Sequence, residues 1–180
     1  MPHIHTQPGQ HDHTVSAFII RTDLKEPTVL FHLHKKVGKL LQPGGHIELH
    51  ETLWQSILHE IIEETGFSHT QLQILQPKAR VTRLTGATLH PLPLCQNTHV
   101  FSQRENQHFH TDTCYIFIAD TKPEGYPQEG ESTDLRWLTR EQMLALSEGE
   151  IGQNSREIAL FALGVPLQEW DALDLSEFAA

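Results

Sequence analysis

GHIELHETLWQSILHEIIEETGF, running from Gly45 to Phe67, decides how this chain is read. Glu60, Glu63 and Glu64 fall at i, i+3 and i+4, the spacing that puts side chains together on one face of a helix. Glu51 stands at the helix entrance, and Gly44-Gly45 form a tight loop just before it. Like charges crowded this way repel and cost helix stability. A hard divalent cation offsets that cost most simply, because Mg²⁺ and Mn²⁺ prefer oxygen ligands.

The helix has its own signals. Thr52 and Gln55 make a capping box, Thr-x-x-Gln. Gly66 can take positive φ and end the helix. Leu53, Trp54, Ile57, Leu58, Ile61 and Ile62 give a broad apolar surface. The helix is therefore expected over about Thr52 to Thr65, packed on a sheet, with the Glu60/Glu63/Glu64 edge turned to a cleft. A solvated acidic helix would also show the charge spacing, but it does not explain Gly44, Gly45 or Glu51.

These residues resemble the Nudix box, the signature of the Nudix hydrolase superfamily. Gly45, Glu51, Glu60, Ile61, Glu63, Glu64, Gly66 and Phe67 fit its pattern in register. One position departs: His59 stands where the family has Arg. The resemblance implies that this Arg holds the neighbouring carboxylates in place. His is shorter, lacks the five-donor fork and is only partly charged near neutral pH. It can still support the site, more strongly when protonated.

The resemblance implies an α/β fold, a Nudix-type α/β/α sandwich with a mixed sheet. It implies hydrolysis of a pyrophosphate bond in a nucleoside diphosphate linked to another group, with Mg²⁺ or Mn²⁺ as cofactor. Glu60, Glu63 and Glu64 would supply ligands and catalytic groups, and the Gly44 carbonyl would add a ligand from the loop. Either Glu60 or Glu64 could instead be the general base. A further ligand would come from a late loop, with Glu129 and Glu131 as candidates; a solvated loop Glu is the plain reading of either. A homodimer is an allowed assembly, since many members of the family dimerise.

Composition fits this picture. A length of 180 residues suits one domain with a sizeable core. The expected division is a flexible N-terminal arm over 1–12 and a single domain over 13–180. The net charge of −10 argues against a nucleic-acid polymer as partner, which would call for a basic face. No apolar run approaches a membrane span, and MPHIHTQPGQHDH lacks the basic and apolar regions of a secretory signal. A cytoplasmic protein with a nucleotide-derived small molecule as substrate is expected. Cys95 and Cys114 have no metal-type spacing; they could form a disulfide, but two buried reduced thiols are the plainer reading.

Strands are expected over Thr14–Arg21, Thr28–His34, Lys39–Leu41, His99–Phe101, Phe109–Ala119 and Leu135–Leu138. Leu72 to Leu84 carries extended stretches interrupted at Pro77, and 85–97 reads as a loop. Thr121 to Ser132 is a long loop. Thr139 and Gln142 form a second capping box opening a helix over about Arg140 to Ser147. A last helix spans about Asn154 to Ala162.

Other candidates are open. Lys35, Lys36 and Lys39 precede the glycine loop, so Lys36 and Lys39 could bind substrate phosphates; a solvated turn weighs as much. Arg80 and Arg83 are undecided in the same way. His108, His110 and Asp112 would share one face of a strand, as would His32 and His34. They could form a second metal site or line the cleft, with His110 the candidate for substrate contact; polar cross-strand packing is the plainer reading. His3, His5, His11 and His13 read as an unstructured arm with adventitious metal affinity. Phe31, Phe101, Phe109 or Trp137 could stack a base, though each also suits the core.

Two further functional readings compete. A catalytically weak or inactive Nudix-fold nucleotide-binding or regulatory protein is motivated by His59; retention of all four acidic positions counts against it. A His-rich metal-binding protein would take Zn²⁺ or Ni²⁺ regardless of Glu64.

Overall fold

The run Val15–Ile20 is apolar on both sides of the chain apart from Ser16, the pattern of a strand covered on both faces. It forms the middle of β1 (His11–Arg21). The protein is described by a computed structural model over residues 7–101 and 108–178. In chain order, β1 is followed by β2 (Thr28–His34), β3 (Lys39–Leu41), β4 (Gly44–His46), α1 (Leu53–Thr65), β5 (Gln73–Gln76), β6 (Cys95–Phe101), β7 (His108–Ala119), β8 (Leu135–Leu138), α2 (Arg140–Ala145), α3 (Gln153–Ala162), α4 (Val165–Glu169) and β9 (Asp171–Asp174).

The strands make one mixed sheet with the central order β3-β2-β1-β7-β5-β9. β1 and β7 run parallel from His11↔Phe109 to Arg21↔Ala119. The other ladders between these strands are antiparallel. Successive residues of β1 and β7 serve opposite faces. Val15, Ala17, Ile19, Tyr115 and Phe117 pack with Trp54, Ile57 and Ile61 of α1. Phe18, Ile20, Cys114 and Ile116 pack with Met143 of α2 and Ala159 and Ala162 of α3. Two apolar layers on the two faces of one sheet give the expected α/β/α sandwich.

Several elements depart from expectation. β1 begins at His11, so His11 and Asp12 belong to the sheet and not to a free arm; pairing with β7 holds them. His13 is likewise in the strand, while His3 and His5 lie outside the described residues. Only Gln73–Gln76 of the stretch to Leu84 is a strand, because Pro77 lacks the donor to continue a ladder. β6 starts at Cys95, inside the expected loop, where Cys95 pairs with Cys114 across the ladder. Both cysteines are free; Cys114 is buried and Cys95 half-buried. β4, α4 and β9 have no counterpart in the sequence reading. Ile62 lies on the solvent side of α1 and is exposed.

Candidate active site

Both ends of α1 are fixed as its sequence foretells. Thr52 Oγ1 accepts from the Gln55 amide at 3.2 Å, and Gln55 Oε1 accepts from the Thr52 amide at 2.9 Å. Gly66 ends the helix at φ 75°. A side chain there would also run into the backbone of Gly125 and Tyr126. That close approach docks the long loop after β7 on the end of the helix. Gly125 N donates to Gly66 O (3.0 Å) and Gln128 N to Glu63 O (2.7 Å).

With the opposite side of α1 held in the core, its acidic edge faces the strands. Glu60 and Glu64 are buried, at 3% and 7% exposure. Glu64 Oε2 accepts from the Gly44 amide at 2.8 Å. Gly44 sits at φ 150°, and a Cβ there would collide with the Val15 carbonyl, so glycine alone fits. A Cβ on Gly45 would overlap the Glu60 carboxylate. Both glycines therefore let the β4 backbone close against the two acids.

This proximity has an electrostatic cost. Burial, reinforced by Glu63, pushes the Glu60 carboxyl up to about 7. Burial also raises Glu64 well above the usual carboxylate range, against the opposing pull of the Gly44 amide. Glu131 adds to both shifts. Glu60 Oε1 is buried with no hydrogen-bond partner among the described residues. His32 Nδ1 stands 3.9 Å from Glu64 Oε1, beyond a hydrogen bond. Burial, then His34, lowers His32 to about 4, so this ring is neutral near pH 7.

His59 reaches two carboxylates with its two ring nitrogens. Nδ1 lies 3.2 Å from Glu51 Oε1 and Nε2 lies 3.1 Å from Glu63 Oε1. Burial acts to lower its pKa, but Glu63 and Glu51 together outweigh that and the net shift is upward. A bridge between two carboxylates thus favours the imidazolium.

The acids open into a cleft of about 780 Å³. A smaller hollow of about 430 Å³ is bordered by Glu48, Glu51 and Leu53 and has a mainly apolar lining. Lys36, Lys39 and His110 border the large cleft. Lys39 Nζ also donates to Glu148 O at 2.8 Å. Lys35 Nζ donates to Gly130 O (2.6 Å) and Glu131 O (2.8 Å), pinning the late loop. Glu131 borders the cleft and Glu129 is not among its lining residues. Arg80 is turned away to Pro77 O and Asp171. Phe101 borders the cleft, whereas Phe31 is fully buried in the core.

The strand histidines do not assemble into the candidate His108/His110/Asp112 group. Asp112 accepts from Thr14 Oγ1, Ser16 Oγ and Cys114 Sγ, which tie it to its own strands. Instead Asp12, His46 and His110 form a group able to hold a metal ion. The sequence reading missed Asp12 and His46. Asp12 was hidden by the assignment of 1–12 to an arm, although HDHT already alternates with the period of a strand. His46 follows Gly45 and has no spacing signal of its own.

The family pattern for the NUDIX domain matches residues 11–159. No curated protein sequence matches. Among solved structures, a NUDIX-family hydrolase from Clostridium perfringens is similar at 28% identity and TM-score 0.62, over 87% of this chain and 98% of that one. A NUDIX hydrolase from Nitrosomonas europaea is 15% identical with TM-score 0.59, over 95% and 97% of the two chains. The NUDIX domain of Shewanella oneidensis NrtR, solved with ADP ribose, is 16% identical with TM-score 0.57, over 87% and 86%.

Proposed function

The chain belongs to the NUDIX family of hydrolases, and from that premise we propose that it cleaves a pyrophosphate bond in a nucleoside diphosphate derivative, using Mg²⁺ or Mn²⁺ held by Glu60, Glu63 and Glu64. One observation carries the proposal: two buried acids stand side by side, and Glu60 Oε1 has no hydrogen-bond partner among the described residues. Buried carboxylates without donors suit a hard cation, and this all-oxygen set suits Mg²⁺ or Mn²⁺. The Gly44 carbonyl and Glu131 are the proposed additional ligands.

When bound, the ion neutralises phosphate oxygens and lowers the pKa of a coordinated water. The chain's residues do the rest. Gly44 N orients Glu64 through its amide. His59 holds Glu51 and Glu63 apart and in place. A carboxylate oxygen of Glu60 or Glu64 left off the ion accepts the proton of the attacking water. Lys36 and Lys39 offer positive charge at the cleft for the substrate's phosphates. Against the reading as a catalytically weak binding protein counts the reach of His59 to both Glu51 and Glu63.

Phosphate release from nucleoside triphosphates, oxidised triphosphates, ADP-ribose, NADH, nucleotide sugars and dinucleoside polyphosphates, coupled to a phosphatase, tests this. A Mg²⁺- or Mn²⁺-dependent hit that disappears in Glu64→Gln is expected. Turnover unaffected by Glu64→Gln would overturn the assignment.

A further inference from the structure

A second set of ligand-type side chains stands beside the same cleft, built on the strands and not on α1. Asp12 of β1 and His110 of β7 are direct neighbours in the parallel register. His46 of β4 arrives from the other side of β1, where it pairs with Thr14. One ligand atom from each of the three lies within 4.8 Å of the others. His46 Nε2 is 3.7 Å from Asp12 Oδ2, and His108 Nε2 is 3.6 Å from the same oxygen.

Those distances are informative. Hydrogen bonds between such groups span about 2.7–3.2 Å, so 3.6 and 3.7 Å are too long for them. Two ligands on one tetrahedral ion, each bonded at about 2.0–2.2 Å, stand about 3.3–3.6 Å apart. The His46 imidazole is therefore spaced from Asp12 much as a co-ligand is.

The rings are also held in place. His110 stacks on Phe101, with centroids 4.6 Å apart and planes 12° apart. His46 meets His110 edge to face at 4.9 Å. Asp12 is only 1% exposed, while His46 and His110 both border the cleft and give an ion a way in. His108 is not one of the three residues whose ligand atoms lie within mutual reach.

We propose that Asp12, His46 and His110 form a binding site for a borderline divalent transition metal of the Zn²⁺ class, separate from the carboxylates of α1. Two imidazoles and one carboxylate select such ions over Mg²⁺, which the oxygen-only set on α1 prefers. Three protein ligands leave a coordination position for water or a substrate oxygen. The site stands independently of the hydrolytic reading.

The test is Zn²⁺ titration of the metal-depleted full chain against a chromophoric chelator. One equivalent per chain is expected. Loss of a direct ligand in His46→Gln or His110→Gln is expected to weaken it by at least about 100-fold, beyond the loss typical of outer-shell changes. Glu60→Gln and Glu64→Gln are expected to leave it unchanged. Thermal melts check that the variants fold. X-ray absorption of the zinc-loaded wild-type protein gives a readout free of mutation and is expected to show imidazole scattering. Undiminished affinity in either histidine variant, loss of the equivalent in Glu64→Gln, or an oxygen-only shell would each overturn the proposal.

Discussion

Replacing Glu60 by glutamine is expected to stabilise the metal-free protein at alkaline pH and to leave it unchanged in acid. Glu60 is 3% exposed, and burial, with Glu63, pushes its carboxyl from 4.5 up to about 7. The folded state therefore holds this proton more tightly than the unfolded chain does. The favourable contribution is fully present below 4.5 and is lost as pH rises through about 7. Above that range the ionised, buried acid costs about 3 kcal/mol, taking 1.36 kcal/mol per tenfold difference in proton affinity. Glutamine carries no charge to bury. At about pH 8 in chelator the variant is expected to melt roughly 6–12 °C higher, at about 2–4 °C per kcal/mol for a chain of this size. Added Mg²⁺ removes most of the advantage, because the wild-type protein gains about 2.7 kcal/mol at an ion concentration of about one hundred times Kd and the variant gains less. Circular-dichroism melts at about pH 4.5 and 8, with chelator and then with Mg²⁺, make the measurement. Equal melting temperatures at pH 8 in chelator, or one constant offset at both pH values, would refute the reasoning.

Two other substitutions probe the same edge. His59→Ala breaks both carboxylate bridges and is expected to weaken Mg²⁺ binding by about 10–100-fold, as loss of an orienting neighbour does; calorimetric titration reads it. His59→Arg is expected to keep or raise turnover, with an advantage that grows with pH because Arg keeps its charge where His loses it. Gly45→Ala forces the Glu60 carboxylate aside and is expected to cost about 1–3 kcal/mol of stability together with most Mg²⁺-dependent turnover, read by melts and phosphate release.

What could be read in advance was local. α1 announces itself through Thr52, Gln55, Gly66 and a helical apolar period, and its structure matches to within a residue. β2, β3 and β8 fall at their expected bounds because turn residues fence them. β4 is Gly-Gly-His, a sequence with little strand preference, and exists because β1 accepts its backbone. β9, Asp171–Asp174, exists because it pairs with β5. The site divides the same way. Three carboxylates one turn apart were legible from spacing. Asp12, His46 and His110 come from three strands that only the folded sheet brings together. His59 was visible as a substitution, but its double bridge depends on where Glu51 ends up relative to the helix.

The parallel pairing of β1 with β7 also sets a timetable. Thr14 and its partner Asp112 are 98 residues apart. At synthesis rates of about 5–20 residues per second, β1 waits roughly 5–20 s for the strand that completes its ladder. During that interval the run from Val15 to Ile20 leaves the ribosome without its central partner, and closing so long a loop is a slow step. The box helix can form early, because its caps and period are local. The cleft it faces cannot. Conditions that lengthen translation of the segment up to Ala119 therefore prolong exposure of the β1 edge that β7 covers.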